Sequence, residues 1–312
     1  MREAASKLGG SRVLVACGDP NFRRHAVRAL HEELGLEVES VSDGTRALEL
    51  LQNRSYRLLV ADTELEGILW FDLVQFLREL RPGTRYALSS STPPDQHFRL
   101  AMEYDVGNIL PRSAPKPLRD LVETAEALLT ENVFGLERWL GTGAQVHARQ
   151  LDNPSQIQET VDEVSAWFPD GEMRRTFRRS LSEMLTNAVY YGSLDEDGDR
   201  KEEWATDVVL KRDQAVYVFF GRAGELWGCS VVDRGGRLTK SQILSWLEQN
   251  RSQGPGGIQL NDQLHGRGLH ITRRSLDRVV VNIRRGDRTE AILLRDADEN
   301  RPPQRPLLIH EF

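Results

Sequence analysis

The stretch Arg179–Gly192 combines an acid and an amide with an amphipathic pattern. Glu183, Asn187 and Tyr191 are spaced i, i+4 and i+8, so they share one face of a predicted helix. An acid and an amide one turn apart are costly to desolvate without partners. An amide oxygen can bind Mg²⁺ beside phosphates, and an acid can deprotonate an attacking hydroxyl. The stretch therefore predicts a magnesium and polyphosphate site, although a solvated helix face is the simpler interpretation of these residues alone.

Two downstream motifs favour the site. In VVDRGGR, Asp233 ends a predicted strand beside two glycines, where a backbone can approach a ligand and a carboxylate can accept an amine proton. In HGRGLHITR, Gly266 and Gly268 precede a helix whose first N–H groups would face an anion. The glycine-rich segment RSQGPGGIQLNDQ between them is typical of a mobile lid.

In this order, EMLTNAVYYG, VVDRGGR, HGRGLHITR and a closing hairpin with Thr289 resemble the gyrase and histidine-kinase type ATP-binding domain. The similarity is greatest to anti-sigma-factor serine kinases, and it implies an α/β sandwich with a mixed sheet that binds ATP and Mg²⁺. Glu183 would be the general base and Asn187 the Mg²⁺ ligand. The resemblance implies that the nucleotide contacts are Asn187, Tyr191, Asp233, Gly235, Gly236, Arg237, Gly266, Arg267, Gly268, Leu269 and Thr289. Arg237 replaces the family's last adenine-motif glycine, and Tyr191 stands where relatives often carry His or Lys.

The N-terminal half alternates short β-like runs with helical patterns. The predicted strands are Arg12–Ala16, Val38–Val41, Tyr56–Ala61, Arg85–Leu88 and Asn108–Leu110. Such alternation predicts a doubly wound, parallel five-stranded sheet whose sites lie at the carboxyl ends of the strands.

The frame VLVACGDP, LLVADTELEG, LSSS and NILPR resembles a response-regulator receiver domain. The resemblance implies that Asp62 occupies the phospho-acceptor position, Ser89 the switch position and Arg112 the position of an invariant Lys. Receivers bind Mg²⁺ with a pair of acids after the first strand, whereas this chain has Cys17 and Gly18, which leaves Asp19 alone. Because Mg²⁺ requires near-octahedral oxygen ligation, we expect a receiver fold with damaged phosphorylation chemistry, or a docking module in which Asp62 is incidental.

The predicted domains are a receiver-like domain over residues 11–130, a helical linker and hinge over 131–150, an ATP-binding domain over 151–298 and a tail over 299–312. The linker prediction rests on an apolar stripe that extends to Leu140 and on the helix-breaking Gly141-Thr142-Gly143. The stripe also permits a coiled-coil seam and hence a homodimer.

Composition limits the partners. The formal net charge of -6 provides no basic field for nucleic acid. No apolar run reaches the roughly 20 residues of a membrane helix, and the start of the chain does not resemble a signal peptide. Cys17 and Cys229 lack metal-ligand spacing and are expected to be reduced thiols in a cytoplasmic protein.

We therefore expect a cytosolic switch in which a receiver-like domain regulates an anti-sigma-type serine/threonine kinase, with a sigma factor or an anti-sigma antagonist as partner. One alternative is a non-catalytic, nucleotide-sensing scaffold that docks partners. A histidine kinase is a weaker alternative, because its only candidate phospho-acceptor, His147, lacks the acidic residue and the long paired helices that it would need.

Overall fold

A computed structural model describes residues 8–192, 210–211, 214–252, 267–297 and 304–312. The chain forms two compact units. The first comprises Met1–Val133 with Pro302–Leu308, and the second comprises Phe134–Arg301 with Ile309–Phe312.

The first unit contains a parallel sheet with the strand order β2-β1-β3-β4-β5. Its strands are β1 (Arg12–Ala16), β2 (Glu37–Val41), β3 (Leu58–Asp62), β4 (Arg85–Ser90) and β5 (Asn108–Pro111). The predicted doubly wound sheet is confirmed, and each predicted strand lies within three residues of the observed bounds. At the edge, Leu307 and Leu308 pair antiparallel with β5.

Five α-helices connect and cover these strands. They are α1 (Pro20–Leu34), α2 (Gly44–Asn53), α3 (Trp70–Leu80), α4 (Phe98–Glu103) and α5 (Pro117–Thr130). Local sequence sets the ends of α1: Asp19 caps its first turn, Pro20 occupies the first helical position, and Gly35 ends it with φ +67°.

The second unit contains a sheet with the strand order β11-β9-β10-β8-β7-β6. Its strands are β6 (Gln145–Leu151), β7 (Val216–Ala223), β8 (Leu226–Asp233), β9 (Arg278–Arg284), β10 (Arg288–Asp296) and β11 (Leu307–Glu311), the last of which begins in the first unit. Its helices are α6 (Leu136–Leu140), α7 (Ile157–Ala166), α8 (Glu172–Tyr191), α9 (Lys240–Ser252) and α10 (Arg267–Ser275). Helix α8 packs on β8 and β10, and α7 and α10 pack against α8. None of the described helices is long and apolar enough to cross a membrane.

Two segments differ from the sequence prediction. Residues 145–150 of the predicted helical linker belong to strand β6, which pairs with β7, and the predicted tail contains β11. Both strands depend on pairing with distant parts of the chain, which a local pattern does not reveal. The predicted lid falls almost entirely outside the described residues.

Residues 134–140 of the predicted linker also pack on the sheet of the second unit. The backbone N–H of Gly135 donates to the buried carboxylate of Glu290 at 2.8 Å. The Arg288 guanidinium lies 3.9 Å from the centroid of the Phe134 ring. This segment is thus anchored on β10, next to Thr289.

Candidate functional sites

The first candidate site lies at the carboxyl ends of the strands in the first unit. Asp62 ends β3, Cys17 follows β1, and Arg112 follows β5. Parallel strands place their carboxyl ends at one edge, so residues far apart in sequence meet there.

Asp62 is enclosed by partners and is only 2% exposed. The Cys17 thiol donates to Asp62 Oδ2 at 3.1 Å, and Arg112 Nη1 forms an ion pair with the same oxygen at 2.5 Å. The backbone N–H of Glu64 donates to Oδ1 at 3.2 Å. Both carboxylate oxygens are therefore already engaged by the protein.

Cys17 acts as a hydrogen-bond donor in this pocket. Burial, followed by the nearby Asp62 carboxylate, raises the pKa of the thiol to about 12. The sulfur consequently keeps its proton at neutral pH, and a protonated thiol is a poor ligand for a hard cation.

Asp19 is used to cap a helix. Its Oδ1 accepts from the backbone N–H groups of Asn21 at 2.8 Å and Phe22 at 3.1 Å. These bonds, that from Phe22 first, lower the pKa of Asp19. No hydrogen bond or ion pair joins Asp19 to Asp62 in the part of the chain that the structure describes, and no three His, Cys, Asp or Glu side chains there cluster as metal ligands.

Ser89 and Ser90 occupy different surroundings. Ser89 lies opposite Asp62 in the β3–β4 register, and its buried hydroxyl has no hydrogen-bond partner among the described residues. The Ser90 hydroxyl instead belongs to a cluster with Thr63, Thr92 and His97, with contacts of 3.0 to 3.1 Å. Burial lowers the pKa of His97. The sequence does not predict this cluster, and its one visible signal is the hydroxyl-rich run Ser89–Thr92.

We expect Asp62 to resist phosphorylation by acetyl phosphate at ordinary millimolar Mg²⁺. Attack by a carboxylate on an anionic donor needs a metal and a cation, and Cys17 cannot supply an acidic ligand. Intact-mass measurement of the full chain tests this, with Asp62→Asn as the control. A stoichiometric phosphate adduct that is lost in Asp62→Asn would contradict the prediction.

This chain is similar to known regulatory proteins over part of its length. No family model matches the chain. The transcriptional regulatory protein TcrA of Mycobacterium tuberculosis is 35% identical over 81 residues, which are 26% of this chain and 32% of that protein. The chain thus spans about a third of the length of the curated relative that it matches.

Solved receiver domains are similar at lower identity. The Francisella response regulator 1452 receiver domain is 20% identical, with 40% of this chain and 100% of that chain covered and a TM-score of 0.35. The response regulator TrrA of Thermotoga maritima is 24% identical, with 38% and 99% covered and a TM-score of 0.34. The strand order β2-β1-β3-β4-β5 is the doubly wound order that CheY shares with flavodoxin. The first unit has the receiver fold.

The second candidate site lies along α8 in the second unit. Glu183 is exposed, and Asn187 and Tyr191 are half-buried. Gly268 of α10 lies directly against Glu183, since a Cβ on Gly268 would stand 2.1 Å from Glu183 Oε2. At the C-terminal end of α8, a Cβ on Gly192 would stand 2.7 Å from Asp233 Cβ. The two contacts are about two and a half turns apart, roughly 13 Å along the helix.

Asp233 is the buried acid of this site. Its Oδ1 accepts from the N–H groups of Gly235 at 2.9 Å and Gly236 at 3.2 Å. Thr289 faces Asp233 in the β8–β10 register, and its buried hydroxyl makes no well-formed hydrogen bond within the described residues. Burial raises the pKa of Asp233 to about 6, against the opposing effects of the two glycine N–H groups and Thr289.

Two glycines of the site are required by close packing. Gly236 has φ +56°, and a Cβ there would lie 2.3 Å from the carbonyl oxygen of Arg284. Gly268 has no room for a side chain beside Glu183. The neighbouring Arg237 is exposed, so its charge is available to solvent or a ligand.

The structure places several of the predicted nucleotide contacts in two groups along α8, roughly 13 Å apart. Glu183 meets Gly268, and Asp233 meets Gly235, Gly236 and Thr289. Leu269 is buried in α10, Arg267 begins this helix, and Gly266 lies outside the described residues. The buried Asp233 carboxylate, which accepts from the Gly235 and Gly236 N–H groups and faces Thr289, fits an adenine nucleotide in its chemistry.

Asp233 should make stability depend on pH. The folded protein holds this proton more tightly than the unfolded chain, whose aspartate has a pKa of 3.8. The associated stability is complete below that value and is lost as the pH rises through about 6. We expect the free energy of unfolding of the wild type, relative to Asp233→Asn, to fall by on the order of 2 kcal/mol from acidic to neutral pH. Urea titrations at several pH values measure this, and a constant difference would contradict it.

Proposed function

We propose that this chain is a signalling protein in which the receiver-like domain regulates an ATP- and Mg²⁺-binding domain of the anti-sigma-factor serine/threonine kinase type. The observation that carries the proposal is that α8 packs on the strands where Asp233, with its two glycine amides, faces Thr289. The similarity to a protein described as a transcriptional regulator supports a role in signalling.

Each residue has a defined part in this proposal. The Asp233 carboxylate accepts a hydrogen bond from the exocyclic amine of adenine, and the Thr289 hydroxyl lies on the same side of the base. The backbone around Gly268 holds the phosphates, Asn187 supplies an amide oxygen to Mg²⁺, and Glu183 takes the proton from the attacking hydroxyl. Bound Mg²⁺ offsets negative charge on the transferred phosphoryl group.

The receiver-like domain would act by docking rather than by phosphorylation. Its acceptor carboxylate is held by Arg112 and Cys17, and its remaining acid, Asp19, caps a helix. The partner would be a protein of the sigma-factor or anti-sigma antagonist type, the location would be the cytoplasm, and a homodimer is compatible with the proposal.

The histidine-kinase alternative is disfavoured by the position of His147. This residue lies on β6, and its ring stacks on Phe220 with the centroids 5.5 Å apart. A phospho-accepting histidine would need a dimeric helix, which β6 cannot provide. The non-catalytic scaffold remains the second candidate, favoured by the exposed Arg237 at a position where the adenine motif has glycine.

We expect Asn187→Ala to weaken binding of Mg²⁺-ATP at least tenfold, about 1.4 kcal/mol, because the variant lacks the amide oxygen that ligates the metal. Calorimetry on the full chain measures this affinity. Asn53→Ala, at an exposed asparagine at the end of α2, is the control and should bind as the wild type does. Equal affinities for the wild type and Asn187→Ala would remove Asn187 from the site, and no binding by the wild type would refute the proposed function.

A further inference from the structure

Four arginines precede Glu183 along α8; Arg174 pairs with Asp170, which leaves three. Arg175, Arg179 and Glu183 are spaced i, i+4 and i+8, so they lie on one face of the helix, and Arg178 flanks them. These three arginines and Glu183 are exposed. Arg179 and Arg175 are displaced from Glu183 by about 6 and 12 Å along the helix axis.

These side chains border a groove between α7 and α8 with a volume of about 330 Å³. Helix α7 contributes Gln158 and the buried Val161, and Ser182 adds a hydroxyl from α8. We call this surface the arginine groove. Val161, Gln158 and Ser182 line it with apolar and neutral polar groups. The arginines add positive charge, and the Glu183 carboxylate lies at one end.

The acids near the arginine groove pair with Arg178, which borders the groove, and with Arg149. Asp162 pairs with Arg178 at 2.6 Å, while Glu159 and Glu163 lie 3.6 and 3.4 Å from Arg149. By contrast, Arg175 and Arg179 form no ion pair within the described residues. Two guanidinium groups are thus available on a chain whose net charge is -6. Their planar donor forks match carboxylates.

We infer that the arginine groove binds an acidic segment of the phospho-accepting protein. This inference rests on the proposed kinase function for the role of Glu183 as the base. An extended chain advances about 3.3 Å per residue, so carboxylates about two and four residues from the acceptor hydroxyl would reach Arg179 and Arg175 when that hydroxyl is at Glu183. The preferred substrate is therefore a serine or threonine with acidic residues at alternate positions on one side.

Peptide binding to the full chain tests the inference. The probe is a fluorescein-labelled, alanine-based peptide with a central serine and glutamates about two and four residues to either side; a second peptide has glutamines instead. We expect fluorescence anisotropy to show about tenfold tighter binding of the glutamate peptide, as two exposed charge pairs would give, and this preference should fall at high salt. The double variant Arg175→Gln/Arg179→Gln should lose the preference. Arg274→Gln, an exposed arginine on α10, should retain it.

A fluorescent ATP analogue, measured on the same proteins, separates the two proposals. If the analogue binds the wild type and the double variant alike, equal binding of the two peptides overturns the arginine groove and leaves the kinase proposal standing. If the analogue does not bind the wild type, the kinase proposal fails, and selective peptide binding would still support an acid-binding surface. Loss of analogue binding in a folded double variant would assign the arginines to nucleotide phosphates and overturn the inference.

Discussion

Replacing Arg112 with methionine should lower the free energy of unfolding of the first unit by about 3 kcal/mol. The Arg112 and Asp62 side chains are 14% and 3% exposed, so removal of the guanidinium leaves a buried carboxylate without its main counter-charge. The Cys17 thiol and the Glu64 amide remain, but they are neutral donors and offset only part of the loss. Urea unfolding, monitored through hydrogen exchange of the backbone amides in β3 and β5, measures the free energy of unfolding of this unit.

Arg12→Met is the matched control for Arg112→Met. Arg12 pairs with Glu37, and the two side chains are 54% and 61% exposed. Exposed pairs contribute about 0 to 1 kcal/mol, so this variant should be close to the wild type. The double variant Asp62→Leu/Arg112→Met should recover much of the loss, because no buried charge remains. If Arg112→Met costs no more than Arg12→Met, the ion pair does not stabilise the pocket.

Replacing Glu183 with glutamine should reduce phosphoryl transfer by about 10²- to 10⁴-fold and leave ATP affinity within a few-fold. The carboxylate accepts a proton from the nucleophile, and glutamine of the same shape cannot. Binding should persist because the proposed nucleotide contacts, Asp233, Thr289 and the backbone at Gly268, are unchanged. Single-turnover assays with labelled ATP and the glutamate peptide measure transfer, and calorimetry measures affinity.

Glu225→Gln provides the control, since Glu225 is exposed in the turn between β7 and β8. It should transfer phosphate as the wild type does. An unchanged rate in Glu183→Gln would make Glu183 structural. Wild-type binding of ATP without any transfer would favour the non-catalytic scaffold.

Local sequence determined most of the secondary structure of this protein. The alternation of apolar runs placed β3 and β5 within three residues of their observed bounds, and β1 at Arg12–Ala16 without any difference. Asp19 and Gly35 also set the ends of α1 through bonds to their immediate neighbours. Hydrophobic periodicity, helix caps and turns depend on only a few neighbouring residues, so they can be identified in the sequence without knowledge of the fold.

The tertiary structure alone decided which residues meet. Strands β6 and β11 were not predicted, because they are defined by pairing with strands that are distant in sequence. The backbone N–H of Gly135 likewise donates to Glu290 on a distant strand. The Cys17 thiol became a donor to Asp62, a residue on another strand, because both are buried at one sheet edge. The contact of Gly268 with Glu183 likewise joins two helices that are remote in sequence. The burial of such groups and the distances between them are set when the sheet assembles. For that reason the charge state of Asp233, and the lack of ion pairs to Arg175 and Arg179 among the described residues, could not be inferred from spacing.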